Sequence, residues 1–191
     1  ALLNAMRTVP RETFVPEHLR NVAYEDRPLP IDAKQTISQP YIVALMIDAM
    51  EIQPGNCVLE VGAGSGYAAA VMGQLAERVY GIEYHEVLAD QARERIQKLG
   101  YDNAEIIQGD GNQGWPQHAP FDAILVSASG AYVPPGHSPR RRRPRPGTAP
   151  DPQRRRRGTA KGIPQLGAFR AACPERVITG QGFAGGSSPL G

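Results

Sequence analysis

Apolar and polar positions follow two different regimes along this chain, and the change falls near residue 130. Before it, short apolar runs alternate with helical stretches. Cys57-Val58-Leu59-Glu60-Val61 reads as a strand running into glycines, residues 67–76 as a helix, and Val79-Tyr80-Gly81-Ile82 as a second strand. Residues 87–99 set Leu88, Ala92, Ile96 and Leu99 on one side of an amphipathic helix that Gly100 should stop. Ala104-Glu105-Ile106-Ile107-Gln108 and residues 122–126 supply strands three and four. Alternation at this spacing predicts an α/β fold, a parallel sheet covered by helices.

Upstream, Pro10, Pro16, Pro28 and Pro30 mark a loop-rich segment in which Tyr24-Glu25-Asp26 and Leu29-Pro30-Ile31 read as extended. Ser38 is then the expected N-cap of a helix ending at about Met50, with Pro40 in its first turn. Ile42, Val43, Leu45, Met46, Ile47, Ala49 and Met50 leave that helix almost no polar face, so it should be buried.

Charge sharpens the division. The formal net charge of +2 is a cancellation: residues 1–130 carry −8 and residues 131–191 carry +10. The second part contains the runs Arg140 to Arg143 and Arg154 to Arg157, together with 10 Pro and 10 Gly. Such a composition buries too little apolar surface to offset chain entropy, so most of it is expected to be disordered; only residues 175–179 suggest a strand. The expected organisation is a domain over 1–130, made of an N-terminal region (1–53) and a core (54–130), followed by a basic tail. Cys57 and Cys173 form no metal-binding or disulfide pattern, His18, His85, His118 and His137 carry no motif, and no metal is expected. No apolar run approaches the length of a membrane span, which makes a reducing, soluble compartment the default.

The chemistry concentrates in Glu60-Val61-Gly62-Ala63-Gly64-Ser65-Gly66. A strand turning sharply into a helix needs residues that tolerate unusual dihedrals, and a ligand resting on the turn needs side chains absent. The helix start that follows offers free N–H groups to an anionic group. A dinucleotide fingerprint would place a third glycine where Tyr67 stands, which disfavours a pyrophosphate. Glu83 ends the second strand, where a carboxylate can accept from ribose hydroxyls. Asp110, within Gly109-Asp110-Gly111, ends the third, where an acceptor can meet an adenine amino group. Singly, each acid reads as a solvated surface residue; together they mark one sheet edge.

These residues resemble those of Class I S-adenosylmethionine-dependent methyltransferases. Further motifs resemble the protein-L-isoaspartate O-methyltransferase family: Val9-Pro10-Arg11-Glu12-Thr13-Phe14-Val15-Pro16, Ala23-Tyr24 with Leu29-Pro30-Ile31, Gln35-Thr36-Ile37-Ser38-Gln39-Pro40, and Gly109-Asp110-Gly111 with Gly114-Trp115-Pro116. The resemblance covers residues 5 to about 127. It implies a Rossmann-like three-layer sandwich, incomplete at its C-terminal strands. It also implies methyl transfer from S-adenosylmethionine to the α-carboxylate of isoaspartyl or D-aspartyl residues in damaged proteins, leaving S-adenosylhomocysteine. The ester then closes to a succinimide, and part of that hydrolyses to normal aspartate.

By the same resemblance Gly62, Gly64 and Gly66, with Glu60, Ala63 and Ser65, underlie the methionine part of the cofactor. Glu83 holds the ribose, and Asp110, between Gly109 and Gly111, the adenine. Thr36, Ile37, Ser38 and Gln39 form the loop between donor and acceptor, with Ser38 matching the active-site serine. The implied protein is a cytoplasmic monomer acting on isoaspartyl peptides and proteins, not on membranes or nucleic acid.

After Val126 the family pattern stops. The tail has the composition of an out-of-frame reading of a GC-rich gene, the fourth strand is expected to be an open apolar edge, and the chain is expected to be weak or inactive. Other readings are a methyltransferase for a small molecule or RNA, and a cofactor-binding remnant whose arginine-rich tail contacts nucleic acid.

Overall fold

In the computed structural model of the chain, which describes residues 1–128 and 177–179, the N-terminal region is more helical than its prolines suggest. Helix α1 (Leu2–Thr8) leads into 3-10 turns at Arg11–Phe14 and Glu17–Val22. Strand β1 (Leu29–Pro30) pairs antiparallel with β2 (Thr36–Ile37), and helix α2 spans Pro40–Ala49. Tyr24-Glu25-Asp26, expected to be extended, is a turn closed by Glu25 N–H to Val22 C=O (3.0 Å) and Arg27 N–H to Glu25 C=O (2.8 Å). The proline spacing that signals loops is equally compatible with short 3-10 turns, because Pro16 lacks only an N–H that such a turn does not use at its start.

The core follows the expected alternation: β3 (Cys57–Val61), α3 (Tyr67–Gly73), β4 (Arg78–Glu83), α4 (Glu86–Lys98), β5 (Ala104–Gln108) and β6 (Ala123–Val126). A further strand, β7 (Val177–Thr179), completes a parallel sheet of order β5-β4-β3-β6-β7. Ile124, Leu125 and Val126 stand opposite Val177, Ile178 and Thr179. Along these residues the fourth strand is therefore paired, which corrects the expectation of an open edge. The rest of the basic tail, with Cys173, His137 and both arginine runs, lies outside the described residues.

Alternation along the strands sorts side chains between two faces. Val58, Val79, Ile106 and Leu125 pack with the helices, including Met46 of α2, Ala69 and Met72 of α3, and Ile96 of α4. Leu59, Tyr80, Ile82 and Ile124 face Trp115 and Phe121 on the other side. Helix α4 ends as its sequence requires. Gly100 has φ +73°, Tyr101 N–H reaches Ile96 C=O (3.1 Å) and Gly100 N–H reaches Gln97 C=O (3.0 Å), a Schellman closure. Among the described residues no helix is long and apolar enough to cross a membrane.

From β3 the chain builds outward through β4 and β5, then returns to place β6 on the opposite flank of β3. The carboxyl ends of β3 and β6 therefore form the switch point where ligands of open α/β sheets settle.

Candidate active site

At that switch point Gly62 N–H and Ala63 N–H both donate to Ile82 C=O, at 2.8 and 3.1 Å, so the turn stays fastened to β4 as it leaves the sheet. Gly62 (φ +85°) and Gly66 (φ +87°) occupy the left-handed region. A Cβ on Gly62 would lie 2.7 Å from Ala128 Cβ and 2.8 Å from Ala128 N, and one on Gly66 would lie 3.1 Å from Ala92 Cβ. The turn is thus too tight for side chains on two flanks. Gly66 caps α3, and Tyr67 is the first residue of that helix; its buried ring packs edge-on against Phe14 at 5.6 Å.

Two carboxylates converge beneath this turn. Glu83 accepts from Gly64 N–H (2.8 Å) and His85 N–H (2.9 Å), one with each oxygen, and so fixes both the turn and the entry to α4. Glu60, only 1% exposed, accepts from the Ser127 hydroxyl (3.0 Å) with Oε1, while its buried Oε2 has no hydrogen-bond partner among the described residues. Burial pushes the Glu60 carboxyl up to about 8, and the neighbouring Glu83 charge adds to this; Ser127 and the first-turn N–H of Ala69 act in the opposite direction.

The Thr36–Ile37 strand and Ser38 face the turn across a narrow hollow of about 50 Å³. Glu60, Gly62, Ala63, Gly64 and Ser65 line its other side, and Val43 and Met46 give it an apolar wall. Ser38 is not the N-cap of α2. Pro40 occupies the first helical position and holds its predecessor extended, so the cap falls on Gln39 (φ −59°, ψ 150°), which makes no side-chain capping bond. One place earlier, Ser38 presents its side chain to the hollow and its carbonyl to Arg11.

Asp110 caps a short 3-10 turn by accepting from Asn112 N–H (2.9 Å). With Gly109 it lines a second, wider cleft of about 610 Å³ that extends to Trp115. The expected site residues therefore divide between two hollows on one sheet edge. Ile82 links them: its side of β4 lines the cleft while its carbonyl holds the glycine turn, and Gly109 N–H is tied to Glu83 C=O (2.9 Å). Gln39, Gly66, Glu83 and Gly111 line neither hollow; Gly66 shapes the turn from behind, Glu83 holds it through Gly64, and a Cβ on Gly111 would meet Val61 Cγ1 at 2.4 Å.

One residue beside the site was not singled out from the sequence. Arg11 is fully buried, donates through Nη2 to Ser38 C=O (2.7 Å) and through Nε to Ala23 C=O (2.7 Å), and lies 4.7 Å from the centre of the Tyr67 ring. Its position within Pro10-Arg11-Glu12, where arginine is ordinarily read as exposed, gives no local sign of this.

A sequence model of the protein-L-isoaspartate(D-aspartate) O-methyltransferases matches residues 1–137. The chain belongs to that family. It is 57% identical over 134 residues to a protein-L-isoaspartate O-methyltransferase 2 of Pelobacter propionicus, an alignment covering 70% of this chain and 60% of that one. It is 58% identical to the protein of the same name from a Polaromonas species, covering 70% and 64%. The chain thus spans less than two thirds of the length of these relatives. Among solved structures, a protein-L-isoaspartate O-methyltransferase superposes with a TM-score of 0.63 at 32% identity, over 70% of this chain and 44% of the other. A Plasmodium falciparum protein assigned to the same methyltransferase type, solved with S-adenosyl-L-homocysteine, gives 0.57 at 29% identity, over 70% and 67%. The fold is the Rossmann-like one of the family.

Proposed function

We propose that this chain binds S-adenosylmethionine and transfers its methyl group to the α-carboxylate of isoaspartyl and D-aspartyl residues in damaged proteins. What carries the reading is that Glu60, residues 62–65 of the glycine turn and the Thr36–Ser38 segment line one hollow at the switch point, with Glu83 fastening the turn through Gly64 N–H. The residues present fit the cofactor. The turn is a cradle that side chains would fill, and Glu60 Oε2, unpartnered among the described residues, offers a polar group inside it.

In this assignment Gly62, Ala63, Gly64, Ser65 and Gly66, with Glu60, hold the methionine part. Glu83 meets the ribose with the lone pairs its two N–H partners leave over, and Gly109, Asp110 and Gly111 meet the adenine. Thr36, Ile37, Ser38 and Gln39 separate donor from acceptor. Bound S-adenosylmethionine supplies a methyl group already activated by its sulfonium. The chain has to orient a carboxylate that is ionised at neutral pH, so no general base is needed. The Ser38 hydroxyl makes no hydrogen bond among the described residues and is available to donate to that carboxylate. Ile37, Val43 and Met46 exclude water from the same hollow. On this reading the protein works as a cytoplasmic monomer on isoaspartyl peptides and proteins, without nucleic acid.

Calorimetric titration of the 191-residue chain with S-adenosylhomocysteine tests the cofactor half, with saturable one-site binding expected. Transfer of labelled methyl to an isoaspartyl peptide, but not to its aspartyl twin, tests the acceptor half. Binding without transfer to either peptide would move the assignment to another acceptor.

A further inference from the structure

Arg11 lines neither hollow, yet it touches the parts on both sides of one of them. Its guanidinium is fully buried, and among the described residues it makes no ion pair and Nη1 has no geometrically sound hydrogen-bond partner. Burial also draws the guanidinium below its ordinary proton affinity, an effect that the nearby hydroxyls of Tyr67 and Tyr24 and the Asp26 carboxylate oppose. Burying a cation without an anion is unfavourable, and an apolar side chain of similar volume would fill the same space at lower cost. The stability of the N-terminal region therefore gives no reason for an arginine here.

Its shape does. A guanidinium is planar and holds its donors at fixed angles, which an ammonium does not. Nε and Nη2 reach carbonyls of two separate segments, Ala23 and Ser38, each at 2.7 Å. Its Cζ lies over the ring of Tyr67, the residue that begins α3 directly after the glycine turn. The backbone N–H of Arg11 is held in turn by the Tyr24 hydroxyl (3.2 Å), which donates to Glu12. One rigid group thus sets the spacing between the Ser38 loop and the glycine turn.

We propose that Arg11 is a positioning residue that couples the Thr36–Gln39 loop to the glycine turn, so that filling one wall of the hollow orders the other. This rests on the methyltransferase reading of that hollow. The cofactor touches the turn, Arg11 transmits the order through Tyr67 and the Ser38 carbonyl, and the acceptor finds Ser38 in place.

The test compares the 191-residue chain with Arg11→Gln and Arg11→Lys. Amide hydrogen exchange is followed at residues 36–39, 57–61 and 62–67, with and without S-adenosylhomocysteine. Ligand affinity comes from calorimetry and KM from an isoaspartyl peptide. Both variants should keep the affinity within about threefold and the protection of 62–67, because the turn is fastened by Ile82 and Glu83. Ligand-induced protection of 36–39 should fall at least about tenfold, and the peptide KM should rise by a similar factor. Arg11→Lys keeps the charge but can reach only one carbonyl, so it should recover the thermal midpoint without recovering the coupling. A simple loss of folded fraction would weaken the apparent ligand affinity as well, so a raised KM with the affinity kept separates the two. Unchanged protection at 36–39 in both variants would overturn the proposal, as would global unfolding of both, which would make Arg11 a stability staple. Should the unaltered chain fail to bind S-adenosylhomocysteine, the function reading falls; ligand-free exchange then decides the positioning, with 36–39 accelerated and 57–61 unchanged if it holds.

Discussion

Glu60 and Glu83 stand on neighbouring strands, both nearly inaccessible, and they solve the problem of a buried carboxylate in opposite ways. Glu83 has one backbone N–H on each oxygen, so its charge is met by the fold itself. Glu60 has one hydroxyl on one oxygen and, among the described residues, no well-formed hydrogen bond on the other, and burial drives it toward the protonated form. The first carboxylate is part of the scaffold. The second is left unfinished by the protein, which is the condition a ligand can complete.

Breaking the finished carboxylate should have the largest effect. Glu83→Gln replaces one accepting oxygen with a donor facing a backbone N–H, and should cost about 3 kcal/mol in urea denaturation and abolish calorimetric binding of S-adenosylhomocysteine. Next comes the turn between the two acids. Gly62→Ala places a methyl group against the Ala128 backbone at a positive φ; about 2 kcal/mol of destabilisation, with loss of ligand binding, is the expected reading.

Glu60→Gln should act in the other direction and depend on pH. Because the Glu60 carboxyl is pushed up to about 8, the folded chain holds a proton that the unfolded chain has released, between the ordinary carboxylate range and that value. Stability from this group therefore declines as pH rises through that window and levels off above it. The amide variant should be the more stable protein at pH 9, by a thermal-melt comparison, and should lose the decline between pH 5 and pH 8. Ser127→Ala should have the smallest effect, about 1 kcal/mol. Removing a hydrogen bond that favours the ionised form should move the Glu60 transition upward, visible as a displaced pH–stability curve.

The same contrast explains what could be read in advance. Strands at 57–61 and 104–108 and the stop at Gly100 were legible because each depends on local rules, namely apolar runs bounded by turns and a left-handed glycine. The acids at strand ends were legible because strand and spacing together place them on one edge. Ser38 as a cap was misread because Pro40 moves the helix start by one residue, a local effect that outweighs cap preference. Helix α1 and the 3-10 turns were missed, since elements of four to seven residues take their stability from packing on the core and carry little pattern of their own. Arg11 was illegible for a stronger reason. Its partners Ala23, Ser38 and Tyr67 lie 12, 27 and 56 positions away, and nothing at Arg11 itself specifies them.

The pairing of β7 with β6 has a temporal side. Val177 follows Val126 by 51 residues, which at ribosomal rates of about 5–20 residues per second is a delay of roughly 3–10 s. Through that interval Ile124, Leu125 and Val126 have yet to meet their β7 partners. Yield of the native fold should therefore depend on how fast the segment between β6 and β7 is translated.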